Sequence, residues 1–571
     1  MSYDIESEQK IKELLRGLQI KRREILAMPP EKALDSILKE KQPLPLVHSF
    51  PEEDFYFLIY DIGVEDCPEL LEMASDRQWE YILDRDIWYR DRILLPEITR
   101  WLQFFMNAAP ERTIRWTVEK KAEFLEYYLF RSIDVAVREH DQDPADLGED
   151  FQTCDDVFYY RLKSPPPEAD KELIADRDSF VNDFIRRLSL YDHILYQTVL
   201  LKAVHVIPAE SEEEMYRLRN VRLAEKGFLS FEEAVGIYQP MKPEVFLRQK
   251  GRFAKIIPKE ESSAPVPYFS SSLHESSLFS RALENIAHEP AGEHLQSEFA
   301  GLCNQVISAD RRVIRSRDEL KHIVRKVSGY LSMGISLLLG EDRPSPQKAA
   351  ALIRTYAIAQ IFRVGYSRVA ELKWQAEKWR KESWFEKQGF DATFWGEEWL
   401  GVLGGLLIEK PLFFDNYESG VLYRDFYSLD DVRHTRKTLE RIMTADTLLS
   451  QIRIPAETVQ DRFVIWKSFL LTPWLRHYLG KREQQMPVDM DDFRIFYRKL
   501  WQEEKGGRRI RNSMKESFLH WVAERCGKDV REIPEPWRNL LVYLFAEVEK
   551  EYAAVSEEDL DARYIMLFHV I

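Results

Sequence analysis

Apolar residues recur at helical spacing through the opening third of the chain. Phe55, Leu58 and Ile59 follow the i, i+3, i+4 spacing that places side chains on one face of a helix. Helix starts are predicted near Pro30, Ser49, Val64 and Ser75. Because helices this short are unstable alone, each must bury its apolar face against its neighbours. The pattern predicts a superhelix of short stacked helices.

Two of the predicted starts carry a capping-box pattern. Ser49 is followed three residues later by Glu52, and Ser75 by Gln78. In this pattern each side chain hydrogen-bonds a backbone N–H that the first helical turn leaves without a partner. We therefore expect both serines to be N-caps.

The later chain is predicted to be mostly helical as well. The spacing after Asp86 indicates a longer helix that reaches Leu102, and residues 113–139 indicate another. The hydrophobic run 157–162 is compatible with a strand, and residues 411–427 with either a hairpin or an irregular aromatic loop. The predicted fold class is all-α, with at most a minor β-hairpin.

A chain of 571 residues is too long for one hydrophobic core. Residues 1–250 are predicted to form the short-helix superhelical domain. Residues 251–277 are rich in proline and serine and are predicted to be a linker. A middle helical domain is then expected over 278–440 and a C-terminal helical domain over 441–571.

Three long motifs carry a resemblance to a known family. The stretches LVHSFPEEDFYFLIYDIG, SDRQWEYILDRDIWYRDR and VRLAEKGFLSFEEAVGIYQP resemble those of a bacterial family that carries only an unknown-function label. This resemblance covers most of the chain and implies no activity. The short-helix rhythm of residues 29–95 also resembles the cytosolic helical domain of MgtE-type magnesium channels, which implies a superhelical fold and no function.

Several sequence features favour a cytoplasmic location. The chain has four cysteines, far apart and without a CxxC pair, which is typical of a reducing compartment. The charged N-terminus has no apolar core of signal-peptide length. The longest weakly polar run, residues 329–340, is too short to span a membrane.

The sequence offers no catalytic motif. It has no G-x-S-x-G, no G-x-x-x-x-G-K-[ST] and no G-x-G-x-x-G. The string HEPAGEH from His288 to His294 lacks zinc-motif spacing, because proline and glycine interrupt the helix that would align its histidines. We predict no catalytic residue, no cofactor and no metal ligand, so the sequence leans towards a non-catalytic protein.

A dense run of charge lies between Asp76 and Arg92, with acidic and basic residues interleaved. This run is predicted to form solvated helix faces with ion pairs that join adjacent helical units, rather than a metal cage, which the equal number of arginines would neutralise. Aromatic anchors and arginine are the residues that dominate protein interfaces. Partner binding is therefore predicted at Trp79, Trp88, Arg90 and Trp395.

Two basic patches stand out in a chain of net charge −16. One covers residues 311–326, and the other, residues 505–515, contains Arg508, Arg509 and Arg511 as a candidate anion-binding patch. Each patch could bind phosphate or RNA. The favoured interpretation is docking against acidic surfaces of this chain or of a partner.

Together these features predict a cytosolic scaffold or adaptor that binds a protein partner through a helical-repeat groove. The net charge disfavours nucleic acid as a ligand. Two alternatives stay open, a metal-dependent hydrolase of an unfamiliar helical class and a regulatory nucleic-acid-binding protein. The sequence specifies neither the partner nor the oligomeric state.

Overall fold

The computed structural model describes residues 14–571 apart from 15, 23, 165–169, 249–276, 287–289, 343, 453–463, 483–485 and 505–506. The chain divides into two compact units. Unit 1 comprises Met1–Gln239, Lys250–Ser328 and Pro344–Gln360, and unit 2 comprises Pro240–Gln249, Gly329–Arg343 and Ile361–Ile571. The linker predicted over 251–277 lies almost entirely outside the described residues. The predicted domain boundaries stay a prediction.

Helices dominate both units. The first helices in chain order are α1 (Pro30–Leu38), α2 (Pro43–Ser49), α3 (Glu52–Ile62), α4 (Pro68–Met73), α5 (Asp76–Asp86), α6 (Leu95–Ala108), α7 (Pro110–Lys120), α8 (Ala122–Ser132), α9 (Lys171–Tyr191), α10 (His193–Val204), α11 (Pro208–Glu225), α12 (Phe231–Ala234) and α13 (Pro243–Leu247). The next are α14 (Leu278–Glu284), α15 (Pro290–Asp310), α16 (Arg317–Leu339), α17 (Pro346–Thr355), α18 (Ile358–Glu382), α19 (Trp384–Gln388), α20 (Glu397–Leu407), α21 (Leu429–Gln451), α22 (Trp466–Tyr478), α23 (Met490–Leu500), α24 (Asn512–Arg525) and α25 (Glu535–Tyr552).

The strands of the described chain are short. They are β1 (Trp88–Tyr89), β2 (Arg92–Ile93), β3 (Ile133–Val137), β4 (Gln152–Thr153), β5 (Phe158–Leu162), β6 (Phe413–Phe414), β7 (Tyr423–Arg424), β8 (Trp501–Glu504) and β9 (Gly507–Ile510). They form antiparallel pairs, with one three-stranded sheet in the order β3-β5-β4. The predicted all-α class with minor hairpins is confirmed.

The opening helices of unit 1 support one another as their length requires. Each packs against the helix two positions along the chain: α1 contacts α3, α2 contacts α4, α3 contacts α5 and α4 contacts α6. Many of them begin at a proline, whose missing N–H has no helical partner in the first turn anyway. The predicted helix starts near Pro30, Ser49, Val64 and Ser75 are confirmed within a few residues.

One of the two predicted capping boxes is present. The Ser75 hydroxyl accepts from the Gln78 N–H, and the Gln78 side chain accepts from the Ser75 N–H at 2.7 Å. The box predicted at Ser49 is wrong. Ser49 ends α2, and its hydroxyl donates to the carbonyl of Leu46, so it is already engaged when α3 begins at Glu52.

Two predicted long helices are also wrong. Residues 88–93 form the β1–β2 hairpin, so the helix that reaches Leu102 begins only at Leu95. The helix predicted over 113–139 breaks after Lys120 and ends at Ser132, where the chain enters β3. β-Branched residues alternate along β3, and such residues favour strands over helices. The strand compatible with residues 157–162 is present as β5, which pairs with β3.

The core of unit 1 is built on aromatic rings. Trp79 of α5 stacks on Phe105 of α6, with ring centroids 4.4 Å apart, and Trp116 of α7 meets Trp79 edge-on. The Trp79 indole also donates to the carbonyl of Leu71 at 2.9 Å. Large rings bury much apolar surface, so these contacts fix α5 against α6 and α7.

Unit 2 also has an aromatic core. Trp399 of α20 stacks on Trp466 of α22 at a centroid distance of 4.4 Å. The predicted hairpin in residues 411–427 is present as β6 and β7, with Phe413 opposite Arg424. A second hairpin, formed by β8 and β9, pairs Trp501 with Ile510.

Within unit 2, α16 and α18 cross at glycines. A Cβ atom added to Gly365 would lie 2.0 Å from the carbonyl oxygen of Tyr330, and one added to Gly334 would lie 2.1 Å from that of Ile361. Backbone, rather than a movable side chain, occupies the space that a Cβ would need. The two helices therefore approach closely enough to require glycine at both positions.

We expect Gly365→Ala to lower the free energy of unfolding by at least about 2 kcal/mol, because the two helices would have to separate. The control is Gly301→Ala in α15, where a new Cβ meets nothing within 4 Å. That variant should be neutral or more stable by up to about 1 kcal/mol, since alanine favours helix. Urea unfolding of both variants measures the difference, and equal stabilities would contradict the close crossing.

The first turn of α3 buries two carboxylates. Glu53 and Asp54 are 1% and 3% exposed. Lys226, directly after α11, approaches Glu53 at 3.5 Å, whereas Asp54 Oδ1 has no hydrogen-bond partner among the described residues. Burial, followed by the negative charge of Glu53, raises the pKa of Asp54 to about 7.

This pKa links the stability of unit 1 to pH. Folded Asp54 binds its proton more tightly than unfolded Asp54, so its contribution to stability should be lost as the pH rises from 3.8 to about 7. The uncharged variant Asp54→Asn should gain stability over the wild type across this range, by about 2–4 kcal/mol. Glu65→Gln, which neutralises an exposed carboxylate, is the control. If the difference in free energy of unfolding between Asp54→Asn and the wild type were the same at every pH, the assignment would be contradicted.

Candidate functional site

The candidate site begins at the C-terminal end of α5, where three consecutive charged residues are buried. Asp84, Arg85 and Asp86 are 5%, 8% and 2% exposed. The interpretation of this run as a solvated helix face is therefore wrong at these three positions. Successive helical residues point in different directions, so the three side chains meet different surroundings.

Asp86 is held by hydrogen bonds within unit 1. Its carboxylate accepts from the hydroxyl of Tyr56 at 2.6 Å, from the hydroxyl of Tyr60 and from the indole N–H of Trp101 at 3.1 Å. Burial and the charge of Asp86 raise the pKa of Tyr56 well above its ordinary value, so this hydroxyl keeps the proton it donates. Asp86 thus needs no further ligand.

Asp84 forms a bidentate ion pair with Arg222 of α11. Arg222 Nε donates to one carboxylate oxygen and Nη2 to the other, both at 2.7 Å. Burial lowers the pKa of Arg222, but the hydrogen bonds and charge of Asp84 outweigh burial and raise it above its ordinary value. Burial raises the pKa of Asp84, and the hydrogen bonds and charge of Arg222 oppose that rise. The pair joins α5 to α11.

Further ion pairs connect α5 and α11 to other elements of unit 1. Lys121 pairs with Glu80 of α5, and Glu212 of α11 accepts from Arg92 Nη1 at 2.9 Å and from the Ile93 N–H at 2.7 Å. The predicted ion pairing within residues 76–92 thus uses partners far along the chain. These contacts fix the β1–β2 hairpin beside α11.

Beside this network lies a cavity of about 430 Å³, which we name the arginine cleft. Its charged lining consists of five arginines and two carboxylates, which gives a formal excess of three positive charges: Arg85, Arg90, Arg219, Arg311 and Arg312 against Asp91 and Glu232. Its aromatic lining is Trp88, Tyr216, Phe228 and Phe231. A local positive cluster in a chain of net charge −16 attracts anions.

Most of these arginines pack against aromatic rings. The guanidinium of Arg311 lies 3.5 Å from the ring centre of Phe231, and that of Arg85 lies 4.7 Å from the ring centre of Phe228. Arg219 lies 5.5 Å from the ring centre of Trp88. Cation–π contacts orient a guanidinium without neutralising its charge.

The cleft arginines lack ionic partners within the described part of the chain. None of the five forms an ion pair with a carboxylate there. Arg85 Nε is buried and has no hydrogen-bond partner among the described residues. Buried cations are ordinarily paired, so the unpaired guanidinium of Arg85 makes this cleft a candidate anion site.

Backbone conformation places two of the arginines at the rim. Arg90, in the turn between β1 and β2, has φ 60°, and Arg311, directly after α15, has φ 51°. This left-handed region is uncommon for residues with long side chains. Such conformations often mark functional sites, which agrees with the charge argument.

A second cavity, of about 310 Å³, shares Trp88 with the arginine cleft as a lining residue. Its lining contains nearly equal numbers of acidic and basic side chains. The acids are Glu80, Asp84, Glu119 and Glu123, and the bases are Lys120, Lys121 and Arg222. Because the charges largely offset one another, it lacks the selective field of the arginine cleft.

The residues predicted for partner binding separate into two groups. Trp88 and Arg90 line the arginine cleft. Trp79 and Trp395 are core side chains, 0% and 1% exposed, so their rings are not accessible to a partner in the folded units.

The predicted anion patch near the C-terminus has partners within unit 2. Arg508 donates to the carbonyls of Ala553 and Val555, Arg509 pairs with Glu549 at 2.7 Å, and Arg511 donates to the carbonyl of Trp501. This is docking within the chain, the alternative favoured for the basic patches.

The residues of the other basic patch, 311–326, have two kinds of surroundings. Lys326 pairs with Asp310 at 2.8 Å, and Arg317 pairs with Asp61. Arg311 and Arg312 instead line the arginine cleft. No group of three or more His, Cys, Asp or Glu side chains in the described chain is placed to hold a metal ion, and His288 and Glu289 lie outside it.

Arg85, Arg219, Arg311 and Arg312 were not predicted as one site. Arg85 and Arg311 belong to charged runs that are visible in the sequence, but Arg219 lies in an ordinary helical segment. No local signal brings α5, α11 and the end of α15 together.

Comparison with known proteins identifies the family of this chain but assigns it no function. No helix in the described chain is long and apolar enough to cross a bilayer. No curated protein and no solved structure matches the chain, so the resemblance to the magnesium-channel domain stays a prediction. The predicted membership in a family without an assigned function is confirmed. The chain belongs to the family of unknown function DUF6178, whose family model matches residues 9–570.

Proposed function

We propose that this protein is a non-catalytic cytoplasmic scaffold or adaptor whose arginine cleft binds an acidic segment of a protein partner. The observation that carries the proposal is the unpaired charge of the cleft, with five arginines against two carboxylates. An acidic side chain entering the cleft would gain charge-assisted hydrogen bonds from guanidiniums that have no internal carboxylate.

The rim of the cleft supports a peptide segment as the ligand. Leu229 and Val313 line the cleft and are 38% and 39% exposed, and Tyr89 beside Arg90 is 61% exposed. Apolar side chains next to arginines fit a segment in which acidic and apolar residues alternate. Aromatic and arginine anchors are also typical of the energetic centres of protein interfaces.

The charge of the whole chain supports a short acidic segment over a long polyanion. A net charge of −16 repels extended nucleic acid, whereas a few acidic residues need only the local field of the cleft. The four cysteines are all free thiols, which supports a reducing compartment such as the cytoplasm.

The contacts around the cleft would reduce the entropy lost on binding. Arg219 Nε donates to the carbonyl of Asp84 at 2.7 Å, and Arg85 and Arg311 are stacked on rings. Side chains held before the ligand arrives lose less freedom when it binds. An adaptor with such a cleft can recognise a short segment without a large interface.

Selection from a displayed library of short random peptides tests the proposal without knowledge of the partner. Peptides enriched on the wild-type protein should carry acidic residues next to apolar ones. Their affinity should fall steeply when the salt concentration is raised from about 50 to about 300 mM, because exposed ion pairs are screened. Enrichment of peptides without acidic residues would overturn the proposal.

Two cleft variants and one control locate the binding. Arg85→Gln and Arg311→Gln should each weaken a selected peptide by about tenfold or more, the loss expected for one charge-assisted hydrogen bond. Arg115→Gln removes the same charge from an exposed position of unit 1 outside the cleft, and should leave the affinity within about twofold. Equal losses in all three variants would show that net charge, rather than the cleft, governs binding.

A further inference from the structure

We infer that the anionic group held in the arginine cleft is a phosphomonoester, carried on a phosphorylated side chain of the partner segment. This inference rests on the proposed function and adds the chemistry of the group that the cleft selects. It is carried by the arrangement of Arg85 and Arg219, which both line the cleft without an ionic partner.

The carboxylates nearest to these two arginines are already engaged. Asp84 accepts both hydrogen bonds of the Arg222 fork, and Asp86 accepts from Tyr56, Tyr60 and Trp101. Neither Asp91 nor Glu232, the two acids of the cleft lining, forms an ion pair within the described chain. The positive charge of the cleft is therefore left for an external ligand.

Two guanidiniums without carboxylates repel each other. Burial, followed by the positive charge of Arg85, lowers the pKa of Arg219 to about 10. A carboxylate carries a single negative charge and would offset one of the two cations. A phosphomonoester carries about −1.5 to −2 charges at neutral pH, so it would offset both.

The donors that remain also suit a phosphoryl group. Arg219 uses Nε on the Asp84 carbonyl and Nη1 on Asn220, which leaves Nη2 for a ligand. Arg85 is stacked on Phe228 and forms no hydrogen bond within the described chain, so its donors are available. A phosphoryl group has three terminal oxygens and can accept from two guanidiniums at once, whereas a carboxylate has two oxygens.

Three degenerate peptide pools test the inference. They are identical except for a fixed central residue, which is phosphoserine, glutamate or serine, and the flanking positions are random. Fluorescence anisotropy on the full chain should show the phosphoserine pool binding about tenfold more tightly than the glutamate pool, with the serine pool weakest. Inorganic phosphate should compete with the phosphoserine pool.

Variants of Arg85 connect the preference to the cleft. Arg85→Gln should reduce the ratio of phosphoserine to glutamate affinity to about one, because the second guanidinium would be lost. Arg85→Lys keeps the charge if the glutamine variant does not fold, and should lower the ratio because lysine lacks the planar fork. Arg115→Gln should leave the ratio unchanged.

Each outcome separates this inference from the proposed function. Equal binding of the phosphoserine and glutamate pools, both above serine, would overturn the phosphomonoester and keep the acidic segment. Binding of inorganic phosphate as tight as that of the phosphoserine pool would assign the cleft to a free phosphate and overturn a phosphorylated partner. If neither charged pool exceeds serine, both proposals fail. If a single-stranded oligonucleotide displaces the phosphoserine pool more effectively than phosphate does, the phosphoryl group belongs to nucleic acid instead.

Discussion

The ion pair between buried Asp84 and half-buried Arg222 determines which arginines of unit 1 keep an unpaired charge. It links residues 138 positions apart, and both hydrogen bonds are 2.7 Å long. Removing Arg222 would leave the Asp84 carboxylate buried alone, which typically costs about 3–5 kcal/mol. Because Arg222 takes Asp84, neither Arg85 nor Arg219 has this carboxylate as an ionic partner. The same contact thus stabilises the join between α5 and α11 and leaves the cleft positively charged.

Local pattern predicted the fold wherever local interactions decide it. The short helices and the Ser75 box depend on residues within one or two turns, so they were predictable. The errors lie where a neighbouring element intervenes. Ser49 belongs to the end of α2, and residues 88–93 form a hairpin because Glu212 of α11 holds Arg92 and the Ile93 N–H. The spacing of apolar residues along a helix cannot predict a contact with a carboxylate more than a hundred residues away.

The site was less predictable than the fold, because its net charge depends on which acidic and basic side chains pair with each other in the folded chain. The sequence shows acids and arginines interleaved between Asp76 and Arg92, and nothing local says which will pair. Arg508, Arg509 and Arg511 form a denser basic run than the cleft does, yet carbonyls and Glu549 engage all three. Basic density along a sequence is therefore a poor guide to anion binding. What matters is the charge left after the internal partners are counted.

The unpaired positive charge of the cleft opposes stability rather than serving it. Five arginines around one cavity repel each other, and water screens the buried Arg85 less than it screens the exposed Arg90 or Arg311. A fold optimised for stability would pair buried Arg85 with a carboxylate, and this chain has 97 acidic residues from which to supply one. An unpaired Arg85 destabilises the ligand-free protein, and binding of an anionic ligand would offset that cost. The unpaired charge of Arg85 thus supports the proposal that the cleft recognises a ligand.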